Sequence, residues 1–275
     1  MIISKMAKPE LWKQAEGLEG MCEHIARCAA ICYNSEPKTG GAAVDFVRRL
    51  IKLGHGRALE FGTVRLPRFV ESDLEGCKEM WTYIHIDDDG TAWTNLRAAL
   101  RIIGSFDDIE AGGDLMTEGV GMSGRFTVHY PAIARSIADE FRTHTMLSTL
   151  MRSTRFVSAG GGKDKKANVE FIEPYWFGHN EWRDMLFRSA LEEAEDAYKR
   201  ILACARCQQA RDVLPLCVKT EMVQCGFIDA WENFVTVRST NNTHPDAFTF
   251  FKNTSISSLE SAATSFCTLS FSRIK

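Results

Sequence analysis

The fold turns on Phe126-Thr-Val-His-Tyr130, on Ala132-Ile-Ala-Arg-Ser-Ile-Ala-Asp-Glu-Phe-Arg-Thr-His-Thr-Met-Leu-Ser-Thr-Leu-Met151, and on Ser153-Thr-Arg-Phe-Val157 after it. Residues 126–130 read as a strand, and residues 132 to about 151 as a long helix. On that helix His144, Ser148 and Met151 share one face within about 60°, since each residue advances about 100°. Ser153 points away from that face, so the helix ends before it and Ser153-Thr-Arg155 forms a turn. A hydroxyl and a guanidinium two residues apart in a turn can grip a phosphate.

On the N-terminal side, Met21, Ile25, Cys28, Ala29 and Cys32 share one face of a helix over about 18–33. Val44, Phe46, Val47, Leu50 and Ile51 repeat the period over 43–53, and Gly54 suits the C-terminal cap. Residues 62–69 alternate as a strand. Residues 81–93, with Asp87-Asp-Asp-Gly90 between two apolar runs, read as a hairpin. A helix follows over 95–103, and the acidic, Gly-rich 107–121 reads as a loop or lid. On the C-terminal side, helices are expected at about 180–209, 215–225, 228–238, 245–253 and 256–265. Ala159-Gly-Gly-Gly-Lys-Asp-Lys-Lys166 lacks the spacing of a phosphate loop and reads as a basic surface loop. The order of elements is that of one α/β (or α+β) domain, a mixed central β-sheet flanked by helices, with a large insertion.

Composition excludes several classes of function. The 275 residues carry 33 basic and 36 acidic side chains, a formal net charge of −3. No global basic field is present to capture nucleic acid or an anionic membrane, so an anionic ligand must meet a local cluster of arginines. No apolar run reaches the roughly 18 residues of a membrane span. Lys5, Lys8, Glu10 and Lys13 break up the first segment, which therefore does not read as a signal peptide. The expectation is a cytoplasmic protein without nucleic-acid or membrane partners. Nine cysteines, an odd number, argue against a disulfide framework. Cys204-Ala-Arg-Cys207 is a lone pair within a helical pattern, and His24, Cys28 and Cys32 form one helical stripe best read as core. No metal site is expected.

The motifs G-x-S-x-G, H-E-x-x-H, G-x-G-x-x-G and the Walker loop are absent, so chemistry must lie in arginines and isolated polar groups. Four segments supply these. Gly54-His55 leads to Glu60, and His144, Ser148, Ser153 and Arg155 come next. Ala210-Arg211 leads to Pro215, and Asn233 and Arg238 precede His244-Pro-Asp246. Arg238 closes an apolar helix, and a guanidinium beside so much apolar surface requires a partner.

In this order the segments resemble the flavin-dependent thymidylate synthases. Ala29-Ala-Ile-Cys-Tyr33 stands for an early Ala-Arg-x-Ser-Tyr-like stretch, and Gly54 through Glu60 for Gly-His-x-x-x-x-Glu. Thr143 through Phe156 stands for Arg-His-Arg-x-x-Ser-x-Asn-x-x-Ser-x-Arg-Tyr, with Thr143 and Thr145 at the two arginine positions before Ser148. Ala210-Arg211 to Pro215, Val237-Arg238 and the His244 turn complete the match, and residues 66–124 look like the insertion. The resemblance implies one domain over 1–275 and a homotetramer with its sites at subunit interfaces. It also implies methylation of C5 of dUMP to give dTMP, with methylenetetrahydrofolate as carbon donor and FAD reduced by NADPH. By resemblance Ser153, Arg155 and Arg211 would hold the nucleotide, with Arg238 against the pyrimidine as substrate-binding and catalytic group. His55, Glu60, His144, Asn233 and His244 would surround the flavin. A fixed cation beside the ring carbonyl suits this chemistry, because attack from C5 needs an electron-rich ring. The substitutions at 143 and 145 leave two alternatives: a relative that methylates or hydroxymethylates dCMP or dUMP, or a nucleotide-binding relative without flavin.

Overall fold

A computed structural model describes residues 1–66, 83–87, 90–111, 125–159, 168–240 and 242–253. Strands β1 (Ile2–Ser4) and β2 (Glu10–Trp12) precede helix α1 (Gly17–Tyr33). That helix lies within a residue of its expected span, and it buries Met21, Cys22, Ile25, Cys28 and Ala29. Asn34, at φ +49°, turns the chain out of it with its N–H on the Ile31 carbonyl. Helix α2 (Gly41–Lys52) packs Ala43, Val47 and Leu50 inward. Gly54 follows at φ +70°, where a side chain would be strained. The short helix α3 (Gly56–Leu59) leads into β3 (Thr63–Leu66).

Strands β4 (Ile84–Ile86) and β5 (Ala92–Asn95) form the expected hairpin, and β5 also pairs with β3 in an antiparallel three-stranded sheet. Asn95 caps helix α4 (Leu96–Ile103), its Oδ1 accepting from the Ala98 N–H at 2.9 Å. The loop expected at 107–121 begins instead as helix α5 (Phe106–Ala111), and the rest of that loop lies outside the described residues. The Ser105 hydroxyl accepts from the Asp107 and Asp108 amides, and two carboxylates in a first turn suit the helix dipole. Phe106 and Ile109 anchor α5 in a core shared with Met21, Ile25, Val47 and Leu96.

The long helix expected from 132 to 151 does not form. Its sequence is divided among the end of β6 (Arg125–Ala134), the seven-residue helix α6 (Arg135–Phe141), a turn, and β7 (Ser148–Met151). His144, Ser148 and Met151 therefore share no helical face. The physical reason is burial on both sides. Ala132, Ile133 and Ala134 are all buried, so over the end of β6 the two-residue alternation that marks a half-buried strand is lost. The ladder is also irregular between Tyr130 and Ile133, around Pro131, which has no N–H to donate.

Beyond β7 come β8 (Glu170–Ile172), α7 (Glu181–Cys204), α8 (Cys207–Ala210) and a 3₁₀ turn (Arg211–Val213). Cys204 and Cys207 thus flank a break in what had read as one helix over 180–209, with Ala205 extended between them. The helix expected at 215–225 is instead strand β9 (Lys219–Phe227), paired with β6 on one side and β7 on the other. Helices α9 (Ile228–Arg238) and α10 (Pro245–Asn253) match their expected spans. The helix expected at 256–265, the loop 160–166, residues 67–69 of the expected strand and Asp88-Asp89 lie outside the described residues.

The central sheet runs β2-β6-β9-β7, antiparallel throughout, while the parallel pairing lies in the separate pair β1-β8. Helix α1 covers one face through Cys28 and Ile31 on Trp12, Val223 and Cys225. Helices α6, α9 and α10 cover the other with Ile137, Phe141, Trp231, Phe234 and Phe250. The combination of helices with a helix-flanked central sheet is the fold class read from the sequence, but that sheet is antiparallel and not mixed, because the parallel pairing lies outside it.

Candidate functional site

Three polar clusters lie around this sheet. The first is built where α9 ends against the turn after α6. The guanidinium of Arg238 is largely buried and fully engaged. Its Nε donates to His144 Nε2 at 2.9 Å, Nη1 to Glu140 Oε2 at 2.9 Å, and Nη2 to the Glu140 carbonyl and to Thr143 Oγ1 at 2.8 and 3.0 Å. An Nε2 that accepts from arginine belongs to a neutral imidazole with its proton on Nδ1. Burial first, and the Arg238 charge second, push the His144 pKa below the usual histidine value. The ring stands edge-on to Phe234 at 4.8 Å. The acid paired with Arg238 is Glu140. Asp246, eight residues further on in the sequence, accepts the Tyr175 N–H instead.

The second cluster surrounds Glu60, whose side chain is 1% exposed. Its carboxylate accepts from Arg57 Nη1 at 2.9 Å, Arg97 Nη1 at 2.5 Å and the Ser148 hydroxyl at 2.7 Å. Arg125 donates to the Glu60 carbonyl and to Thr63 Oγ1. His55 stands exposed at the start of α3.

The third is the turn after β7. The Ser153 N–H donates to the Cys32 carbonyl at 3.0 Å, and its hydroxyl accepts from the Arg155 N–H at 3.2 Å. Arg211, from the 3₁₀ turn, reaches Thr154 Oγ1 at 3.1 Å. The exposed Arg155 guanidinium lies over the Phe156 ring, which neighbours Tyr33. The structure thus brings His144 to Arg238, and Arg211 to the turn that holds Ser153 and Arg155. Glu60 joins Ser148. Asn233 and His244 are exposed and belong to none of these clusters among the described contacts.

Sequence reasoning missed a fourth network, which crosses β2, β6 and β9 and ends at Arg152, the residue after β7. His129 Nδ1 lies 3.1 Å from Glu10 Oε2, and its Nε2 lies 2.8 Å from Glu221 Oε1. Glu221 also accepts from Arg152, which immediately precedes Ser153. Trp12 stacks on His129 at 4.2 Å and carries Arg27 on its ring at 3.7 Å. The hydrogen bond from His129 holds the Glu10 carboxyl below the usual range. Burial acts to raise Glu221, but His129 and Arg152 together outweigh it. No spacing signal could have found this network, since its members lie up to about two hundred residues apart and meet only through strand register. A cleft of about 420 Å³ beside α10, lined by Lys5, Tyr175, Phe177, His179, Asp246 and Phe250, was equally invisible.

His24 and Cys28 are core, and Cys32, at the end of the same helical stripe, is partly buried. His24 Nε2 lies 2.9 Å from Thr127 Oγ1, and burial, aided by Arg125 and Arg27, pushes its pKa down to about 3. Burial also holds the Cys28 thiol well above its ordinary value, which makes it a poor nucleophile.

Residues 120–254 match the model of the Thy1 family, described as thymidylate synthase complementing protein. No curated protein matches the chain. Among solved structures, thymidylate synthase X from Helicobacter pylori, crystallised with FAD and dUMP, is 17% identical, with 52% of this chain and 67% of that one covered at a TM-score of 0.36. A UMP/dUMP methylase from Streptomyces cacaoi, bound with 5-Br dUMP, is 14% identical, with 97% and 93% covered at a TM-score of 0.44. The family match spans His144, Ser148, the Ser153–Arg155 turn, Arg211 and Arg238. Over these residues, just under half of the chain, the sequence is similar to the Thy1 family of thymidylate synthase complementing proteins.

Proposed function

We propose that the protein methylates C5 of a pyrimidine deoxynucleotide, converting dUMP to dTMP with methylenetetrahydrofolate as carbon donor and NADPH as reductant. The family match supports the reaction class. The structural observation that carries the site is the reach of Arg211 onto Thr154, which sets two guanidinium groups and the Ser153 hydroxyl at one turn. In this reading Ser153, Arg155 and Arg211 hold the nucleotide phosphate by charge-assisted hydrogen bonds. Arg238 stabilises the negative charge that develops on the pyrimidine, and Glu140, Thr143 and His144 hold its guanidinium in one orientation. Such preorganisation is what a charge-stabilising group needs, since nothing must reorient during reaction. His144, kept neutral by burial, takes no charge from Arg238.

The donor set around Glu60 fits a dinucleotide cofactor: a buried carboxylate, a hydroxyl and two cations whose outer nitrogens face solvent. FAD, when bound, accepts hydride from NADPH and returns the reducing equivalent to the transferred carbon. Glu60 and His144 would line its site from the interior, and His55, Asn233 and His244 from the exposed side, completed by a second copy of the chain in a homotetramer. The described parts of 66–124 share a core with α1 and α2, which supports reading residues 1–275 as one domain with an insertion. Among the described residues no helix is long and apolar enough to cross a membrane. The direct test supplies purified protein with FAD, NADPH, methylenetetrahydrofolate and either dUMP or dCMP, and reads the product mass. A methyl gained by dUMP is expected. A hydroxymethyl product or a preference for dCMP would replace the reading, and a protein that takes up no flavin would end it.

A further inference from the structure

Arg57 and Arg97 form an arrangement that a structural ion pair does not require. One carboxylate is neutralised by one guanidinium, yet Glu60 carries two. Each arginine commits a single nitrogen, Nη1, to Glu60, and among the described residues no other partner engages either group. Their side chains are 57% and 46% exposed, while the carboxylate between them is 1% exposed. One positive charge is therefore left over, spread across the unused N–H donors of two planar groups that point outward from a buried anchor. Arg101, one turn further along α4 and also exposed, extends the cationic strip.

The anchor is rigid. Glu60 is fastened by Ser148 on the central sheet, so the two guanidinium groups are ordered by the fold. Ordering long side chains is the cost that usually cancels the gain of a surface ion pair, and here it is met before a ligand arrives. Arg97 also crosses directly over Gly56. A Cβ at that glycine would lie 2.9 Å from its Nε, so the absence of a side chain there makes the seat for the guanidinium. Two forked cations with unused donors match the several oxygens of a phosphate chain, whereas a neutral ligand would leave the excess charge unanswered.

We propose that Arg57 and Arg97, pinned by Glu60, form a binding fork for the diphosphate of a dinucleotide cofactor. Both arginines lie outside the residues matched by the family model, so the family match does not assign them a role. It would restore cationic charge near Ser148, where Thr143 and Thr145 leave the preceding signature segment without arginines. The choice of a dinucleotide rests on the function proposed above; the affinity for diphosphate does not.

The test is calorimetric titration of the full-length protein with inorganic pyrophosphate, then with FAD, FMN and NADPH. Arg57→Gln and Arg97→Gln should each weaken pyrophosphate binding about tenfold or more, the size of losing a charged hydrogen bond. Gly56→Ala keeps every charge but displaces Arg97, and should weaken it in the same direction. Arg101→Gln, outside the fork, should change it far less. Weakening of FAD with FMN spared would identify the flavin dinucleotide as the source of the diphosphate, and weakening of NADPH alone would identify the nicotinamide one. Undetectable binding of pyrophosphate by the wild-type protein would overturn the fork without recourse to variants. So would full binding by the folded Arg57→Gln/Arg97→Gln double variant, which would leave the two arginines as a strut between α3 and α4. Pyrophosphate binding that persists in a protein without affinity for flavin would keep the fork and remove the flavin reading instead.

Discussion

Arg238 is held by four hydrogen bonds that it donates to three residues, which makes its two possible functions separable. If the guanidinium stabilises charge on the pyrimidine, its loss is felt mainly in the transition state. Arg238→Ala should then lower single-turnover methyl transfer by roughly 100-fold or more in the folded fraction, while flavin reduction without nucleotide survives. Arg238→Lys retains the charge but cannot reach Glu140, Thr143 and His144 together, so partial activity with altered geometry is expected. Normal methyl transfer by a less stable Arg238→Ala protein would confine the residue to holding α9 against the α6 turn. His24 makes a second prediction, on stability. Its folded pKa of about 3 lies below the ordinary value of 6.5, so the unfolded chain binds the proton that the folded protein refuses. Folding stability is therefore highest above pH 6.5 and falls as pH drops toward 3, by up to a few kcal/mol. His144, shifted the same way, adds to the fall. Urea titrations from pH 7.5 to 5 should show the fall, and His24→Gln should flatten it.

Among elements, the turn after β7 is the most consequential, because three parts of the fold converge on it. Residue 152 ties it to the His129–Glu221 ladder, Cys32 of α1 accepts the Ser153 N–H, and Arg211 arrives from the 3₁₀ turn. Arg155 itself is exposed, so its removal should leave folding nearly intact. Arg155→Ala should raise the nucleotide KM by about 10–150-fold, the range for a charged hydrogen bond, and should slow flavin reduction far less. Unchanged nucleotide affinity would place the phosphate elsewhere.

Several residues offered as site groups stand exposed in a single copy of the chain: His55, Arg155, Asn233 and His244. A site shared between copies would cover them, and α7 offers apolar surface for association, with Trp182, Met185 and Leu186 exposed at helical spacing. Light scattering at micromolar concentration should report four chains per particle. An active monomer would remove the shared site and the map of residues drawn on it.

Local chemistry made much of this protein legible in its sequence. Helices α1, α2, α9 and α10 show apolar faces at helical spacing, the β4–β5 hairpin has its acidic glycine turn, and Asn95 and Gly54 stand at helix boundaries. The order of the polar segments was enough to point to the family whose model matches residues 120–254. The segments 132–151 and 215–225 were not legible, because β9 buries polar side chains such as Thr220 and Gln224 beside apolar ones, and burial on both faces leaves no clear alternation to read. Only pairing with β6 and β7 decides for β9, just as the register of β6 decides what faces His129. The same limit applies to the site. Arg238, His144 and Ser153 could be named one by one, but that Glu140 would be the acid on Arg238, or that Arg97 would share Glu60 with Arg57, depends on contacts between residues 37 to 98 positions apart. Ion pairs and hydrogen bonds act over a few ångströms in space, and the folded sheet alone brings these groups within that distance.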